Sequence, residues 1–395
     1  MLIACLVSLV VVCSGCGLVP GGQPPQAQAT RTPSRDSITH AAPKAPLSCP
    51  ARVLSRMTEA QRVGQLFLVG IAGGPMTVVA QAVRTYHFGS LLFEGNSTAS
   101  VAQIRQMTRA VQSLASAPAT ARVRFFIAAN QEGGEVQQLQ GPGFSAIPPA
   151  LDQGQLSAGE LQRQAAAWGS QLRSAGVNLD LAPVMDVVPD ATAGANQPIG
   201  MLQREFGFSP APVAAHGVAF IRGMRQAGVA TTAKHFPGLG RVVGNTDFTA
   251  GGVDTVTTPD DPYLTSFQAA IKAGVPFVMV ALATYTLIDP GHLAAFSARI
   301  MRGLLRQQMH FRGVIVSDDL GAAAAVAGIP AAARGIDFLA AGGDLITSES
   351  LAAAEAMDQA ILDRAAADSA FRATVNSAVI RILAAKQAYH LIQCH

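Results

Sequence analysis

Charge is scarce in this chain. Asp, Glu, Lys and Arg make up 13% of its 395 residues, about half of the ~25% usual in globular domains. The 28 basic and 25 acidic side chains are scattered, with no run of five like charges, so neither a nucleic-acid groove nor a polybasic membrane patch is indicated. Lysine is rarer still. It occurs only as Lys44, Lys234, Lys272 and Lys386, the other basic residues being arginine, a pattern of GC-rich coding that says nothing about partners. Several motifs are also missing. No G-x-x-x-x-G-K-[ST], G-x-S-x-G or HExxH occurs, and the cysteines and histidines lack zinc spacing, so phosphate-loop, serine-hydrolase and zinc-hydrolase chemistry lose their usual markers. Gly141-Pro142-Gly143-Phe144-Ser145-Ala146 fits a dinucleotide fingerprint but runs into Pro148-Pro149, where no helix N-terminus can receive a pyrophosphate. What the chain has is apolar bulk. Hydrophobic residues reach 49%, which excludes disorder as the main state.

A long apolar run is absent as well. Residues 2–13, LIACLVSLVVVC, are broken only by Ser8. A spanning helix needs ~20 residues and a signal-peptide core ~7–15, so residues 1–15 read as a cleaved signal peptide. The run ends in Cys13-Ser14-Gly15-Cys16, which resembles a bacterial lipobox and implies lipidation at Cys16. Cys13 stands where leucine is usual, and no Lys or Arg precedes the run. The alternative is a plain secretory signal with an incidental cysteine. Residues 16–48 are rich in Pro, Gly, Gln, Ala and Ser and read as a flexible tether. The protein is thus expected to be exported and held on the outer face of the cytoplasmic membrane by its lipid alone. Of the five cysteines, Cys49 and Cys394 remain in the folded part. In an exported protein they are expected to form a disulfide.

Eight short apolar runs follow, at residues 65–70, 89–93, 124–130, 177–183, 228–235, 275–281, 313–318 and 343–347. Between them lie helical patterns at 101–114, 158–175, 210–227, 259–273 and 296–309, and residues 371–391 read as a last long helix packing across the barrel. Apolar strands alternating with helices predict a parallel sheet covered by helices. Eight units favour an α/β fold of the (β/α)₈ TIM type, one domain spanning 49–395.

In such a barrel chemistry collects at the C-terminal strand ends. There the third run leads into Asn130-Gln131-Glu132-Gly133-Gly134, the fourth into Asp180 and Asp186, the fifth into Lys234-His235-Phe236-Pro237-Gly238, and the seventh into Ser317-Asp318-Asp319. Asp318 reads as a nucleophile or electrostatic stabiliser, with Asp319 as its support or a helix cap. Lys234 at a buried strand end needs an anion; Asp180, Asp186 or a substrate hydroxyl would serve. The glycine-rich loop 238–247 is expected to move and to bring Asp247 to the pocket as a second carboxylate. Paired carboxylates about 5–5.5 Å apart are what retaining glycoside hydrolysis requires.

Together these blocks, with Asn178-Leu179-Asp180-Leu181-Ala182-Pro183-Val184-Met185-Asp186-Val187 and with Ile199-Gly200, Arg204 and Phe206-Gly207, resemble glycoside hydrolase family three over about residues 50–395. The likeness is to its single-domain bacterial β-N-acetylhexosaminidases, in a lipoprotein form similar to actinobacterial members. It implies Asp318 as nucleophile, with Arg204, Lys234 and His235 binding sugar. Three positions depart from the family pattern. Asn130 replaces an aspartate that contacts sugar hydroxyls, and Gln138 replaces an arginine eight residues later, which alters hydroxyl recognition. The acid/base histidine of an Asp-x-His dyad falls on Asp247, so Asp247 is expected to be the acid itself. The implied activity is a retaining exo-β-N-acetylglucosaminidase acting on peptidoglycan fragments, as a monomer, on a small carbohydrate, with no cofactor, no metal and no nucleic acid. A β-glucosidase, a glycoside phosphorylase and a non-catalytic wall-binding lipoprotein remain alternatives.

Overall fold

The apolar runs are short because each is one barrel stave. In a computed structural model, which describes Gly22 and residues 47–394, they form strands β1 (Phe67–Val69), β2 (Ser90–Leu92), β3 (Phe126–Ala129), β4 (Leu179–Asp180), β5 (Ala230–Phe236), β6 (Phe277–Val280), β7 (Val314–Ser317) and β8 (Ile346–Ser348). Every residue in them is buried, as expected of a sheet with side chains inside and helices outside. The strands pair in parallel in the order β7-β6-β5-β4-β3-β2-β1-β8. The ring closes where Val316 bridges Leu345 in parallel, with the Ser317 N–H donating to the Leu345 carbonyl at 2.9 Å. This is a (β/α)₈ barrel. Residues 1–15, read as a signal peptide, Cys16, and all of the segment 17–48 read as a tether except Gly22, Leu47 and Ser48, lie outside the described residues.

Helices Val101–Ser113, Ala158–Ala175 and Pro210–Gln226 form where the apolar periodicity places them. Ser100 and Ser157 cap the first two, each accepting the N–H three residues on, the usual use of serine at a helix start. The pattern at 259–273 resolves differently. A single tight turn covers Pro262–Leu264 and the helix proper spans Thr265–Lys272, because Asp261 accepts the Tyr263 N–H and Pro262 starts the turn. The pattern at 296–309 yields a helix over Arg299–Gln308. Among the described residues no helix is long and apolar enough to cross a membrane.

The last helix, Ser369–Ala388, starts at Asp368, which accepts the N–H groups of Ala370 and Phe371. It packs beside helix Cys49–Ser55. Its Lys386 is fully buried, donating to Gln65 Oε1 and the Gly89 carbonyl at 2.7 Å each, at the start of β1 and β2. With no carboxylate to hold the charge, burial pulls the Lys386 pKa down to about 7.

Cys49 and Cys394 are joined by a disulfide with Cα atoms 5.4 Å apart and a sequence separation of 345. Linking the two ends restricts the unfolded chain over nearly its whole folded length. Cys49→Ser with Cys394→Ser is therefore expected to cost about 2–5 kcal/mol of stability. Urea unfolding followed through Trp168, the single tryptophan, reads this directly; an unchanged midpoint would show that the bridge does not constrain the unfolded state.

Candidate active site

Seven of the eight strand ends, all but that of β1, and the loops that follow them meet at the C-terminal mouth, around a cavity of about 560 Å³. Asn130, Arg204, Lys234, His235, Asp247 and Asp318 all line it. Gln138 does not. It stands behind the wall, where its Oε1 accepts the Asn130 N–H at 2.8 Å, so it positions Asn130 instead of touching a ligand in the cavity.

The partner of Lys234 is neither Asp180 nor Asp186. Its Nζ lies 2.6 Å from Glu132 Oε1 and donates to Asn130 Oδ1 at 2.8 Å. Glu132 follows β3 in a small hairpin, Gln131–Gly133 against Val136–Gln137. The hairpin turns through Gly133 at φ +114°, where a Cβ would lie 2.2 Å from the Pro148 carbonyl oxygen, a place only glycine can occupy. Glu132 also receives a two-pronged bond from Arg204, Nε to Oε2 at 2.8 Å and Nη2 to Oε1 at 2.7 Å. Burial would raise the carboxyl pKa, but the adjacent guanidinium and ammonium prevail and hold it down to about 2. Lys234 has three N–H donors and uses two on these oxygens, leaving one for the cavity. The Asn130 amide NH₂ has no acceptor among the described residues, so this position offers donors where an aspartate would offer only acceptors.

Asp186 is fully buried and makes three bonds, two to His235 and one to Leu239. Its Oδ1 accepts the N–H groups of His235 and Leu239 at 3.0 and 2.9 Å, and its Oδ2 lies 2.8 Å from His235 Nδ1. A carboxylate can only accept, so Nδ1 carries the proton and Nε2 is the nitrogen left for a ligand. Asp180 is buried with Oδ1 on the Gln131 N–H at 3.1 Å and Oδ2 unpartnered. Desolvation pushes its pKa up to about 7.

Asp318 sits just past β7, its N–H on the Val280 carbonyl at 3.0 Å and its Oδ1 accepting the Asp319 N–H at 3.0 Å. Asp319 supports the turn. Its carboxylate accepts from Gly321, Ala322 and Glu349, each within 2.9 Å. Two adjacent aspartates thus divide into one that faces the cavity and one that fixes the backbone around it.

The Asp247 loop is pinned at its root and its tip. Asn196 Nδ2 donates to the carbonyls of Leu239 and Val242 at 2.8 and 2.7 Å, and the Tyr285 hydroxyl donates to Gly238 at 2.8 Å. Gly240 passes so near the wall that a Cβ would lie 1.9 Å from the Val187 carbonyl oxygen. At the tip, the Ala324 and Ala325 N–H groups beyond β7 donate to the Asp247 and Thr246 carbonyls at 3.0 and 3.1 Å. Asn245 Oδ1 accepts the Asp247 N–H at 3.0 Å. Asp247 remains an exposed residue. The protein crowding its carboxyl, and secondarily the charge of Asp318, push its pKa up to about 6, against the pull of His235 and Arg204.

Two further groups at the mouth were not singled out from sequence. Glu349 follows β8 directly and lines the cavity, its pKa pushed up to about 7 by desolvation and by Asp319, Glu94, Asp247 and Asp318. Its place two residues beyond the eighth apolar run, just past β8, is the signal that points to it. Phe248, next to Asp247, lines the rim and is 83% exposed. No cluster of three or more His, Cys, Asp or Glu suited to a metal ion occurs among the described residues.

Residues 58–385 match the glycosyl hydrolase family 3 N terminal domain. A β-hexosaminidase of Stenotrophomonas maltophilia is 36% identical over 283 residues, 67% of this chain and 78% of that protein. The β-N-acetylhexosaminidase structure from Beutenbergia cavernae superimposes with a TM-score of 0.82 at 46% identity, covering 84% of this chain and 99% of that one. A family 3 β-N-acetylglucosaminidase from a Paenibacillus species superimposes with a TM-score of 0.76 at 28% identity, over 85% of this chain and 63% of that one. With a family match over most of the barrel and carboxylates gathered at its mouth, the chain belongs to glycosyl hydrolase family 3 and is a glycoside hydrolase.

Proposed function

We propose that the chain is a retaining exo-β-N-acetylglucosaminidase that removes terminal β-linked N-acetylglucosamine from peptidoglycan fragments. The observation that carries this is that Asp318 and Asp247 line one cavity with the cationic wall of Arg204 and Lys234, while Asp247 has a pKa of about 6. One carboxyl is thus suited to attack and the other to hold a proton. The names of the relatives support the sugar. The cell-wall substrate rests on the family likeness.

In the first step an Asp318 carboxylate oxygen attacks the anomeric carbon. The glycosidic C–O bond breaks and the leaving oxygen takes the proton of Asp247. In the second, water attacks the same carbon and gives a proton back to Asp247, and the Asp318 ester bond breaks to release the sugar. Lys234, Arg204, His235 Nε2 and the Asn130 amide are the groups available to bind hydroxyls.

An acid with a pKa of about 6 is deprotonated as pH rises through that value, so kcat/KM is expected to fall on the alkaline side from about there. Asp247→Asn is expected to lose that limb, and about 100-fold or more in rate on substrates with a poor leaving group, with a smaller loss on activated aryl glycosides. Glu349, with a pKa of about 7, is the competing acid. Should Asp247→Asn keep rate and limb while Glu349→Gln loses both, the acid is Glu349.

A further inference from the structure

The opposite end of the barrel gathers positive charge that no stretch of sequence displays. Arg56 follows helix Cys49–Ser55, Arg105 and Arg109 lie on helix Val101–Ser113, Arg122 and Arg124 precede β3, and Arg173 is in the last turn of helix Ala158–Ala175. They line two grooves of about 640 and 420 Å³. The grooves share Gln112, Arg124, His390 and Leu391 and so form one trough. Among the described residues no Asp or Glu lines either groove. None of the six arginines has an ion-pair partner among the described residues. Five of them are exposed, and Arg105 is half-buried, donating to the Ser174 carbonyl. Asp344, ahead of β8, is fully buried and taken up by Arg306 and Arg381. The rest of the chain carries more acid than base, 25 acidic residues against 22 other basic ones, so the net positive charge owes its sign to this trough.

We propose that this face docks on an anionic phospholipid surface, its guanidinium groups pairing with lipid phosphates. The planar guanidinium fork matches phosphate oxygens two at a time, and among the described residues the trough has no carboxylate to repel them. Leu47 lies beside the end of the chain, its carbonyl accepting from Arg52, whose guanidinium also donates to the Cys394 carbonyl. Two residues on, Cys49 is bonded to Cys394, just past the Leu391, Ile392 and Gln393 that line the second groove. Docking here leaves the catalytic mouth, at the other barrel end, facing away from the bilayer. The inference stands on charge and placement and does not depend on the sugar or on lipidation of Cys16.

The test uses the full chain and sedimentation with two vesicle preparations, phosphatidylcholine alone and phosphatidylcholine with one third phosphatidylglycerol. Whatever residues 2–13 contribute is common to both, so the increment on anionic vesicles reads the trough. That increment is expected to shrink with added salt and to drop about 100-fold in the triple variant Arg109→Gln, Arg124→Gln, Arg173→Gln, at about fivefold per charge. The variant should keep wild-type turnover, since none of the three lies near the mouth. An anionic increment that survives the triple substitution refutes the proposal. So does the absence of any increment while soluble polyphosphate binds through the same arginines, which would make a dissolved polyanion the occupant.

Discussion

Replacing Asp318 by asparagine is expected to abolish turnover while leaving the barrel intact, with a loss of roughly a thousandfold to a millionfold in kcat. The size follows from the role. Without a carboxylate beneath the anomeric carbon no glycosyl ester forms, and water must attack unaided. The fold is spared for a local reason. The backbone bond to Val280 does not involve the side chain, an asparagine Oδ1 still accepts the Asp319 N–H, and Asp319 itself ties Gly321, Ala322 and Glu349. Near-normal turnover with an unchanged melting temperature would remove Asp318 from the mechanism.

The second large effect is on stability. Glu132 is buried between Arg204 and Lys234, and Glu132→Gln would leave two buried cations facing a neutral amide. Breaking a buried ion pair on one side typically costs about 3–5 kcal/mol, and the same substitution is expected to raise KM, since both cations lose the group that aims them. The wild type also carries a pH signature. The folded-state pKa of Glu132 lies below its ordinary value of 4.5, at about 2. The stabilisation is therefore complete above about pH 4.5 and is lost as pH falls toward about 2, as the folded carboxylate takes up a proton. Glu132→Gln should flatten that acid limb, and Glu132→Asp should recover part of the stability. A urea midpoint at pH 7 equal to wild type would mean that the triad does not stabilise the fold.

Much of this was legible because barrels place chemistry by a simple rule. Each of the eight apolar runs overlaps a strand, since a stave buried on both faces must be nearly all apolar, and the residues at its end face the mouth. That rule located Asp318, Lys234 and Asn130. It would have located Glu349 too, had the eighth run been treated like the seventh. Pairings were harder. Lys234 needs an anion, and Asp180 and Asp186 lie in and just beyond the neighbouring β4, but the hairpin after β3 brings Glu132 to it from two strands away. Gln138 was misjudged for a similar reason. The family resemblance implies a role for it in hydroxyl recognition, while the hairpin folds it behind the wall. The arginine trough was invisible, because its six members come from four separate segments whose local charge is ordinary.

The central claim is that a covalent glycosyl-enzyme forms on Asp318, and trapping tests it most directly. The enzyme would be incubated with an activated fluorosugar analogue of N-acetylglucosamine that reacts in the first step and stalls before the second. Intact mass should rise by one sugar, and peptide mapping should place it on the segment Val314-Ile315-Val316-Ser317-Asp318-Asp319, at Asp318. Hydrolysis of the natural substrate with no adduct, or an adduct on any other carboxylate, would contradict the account.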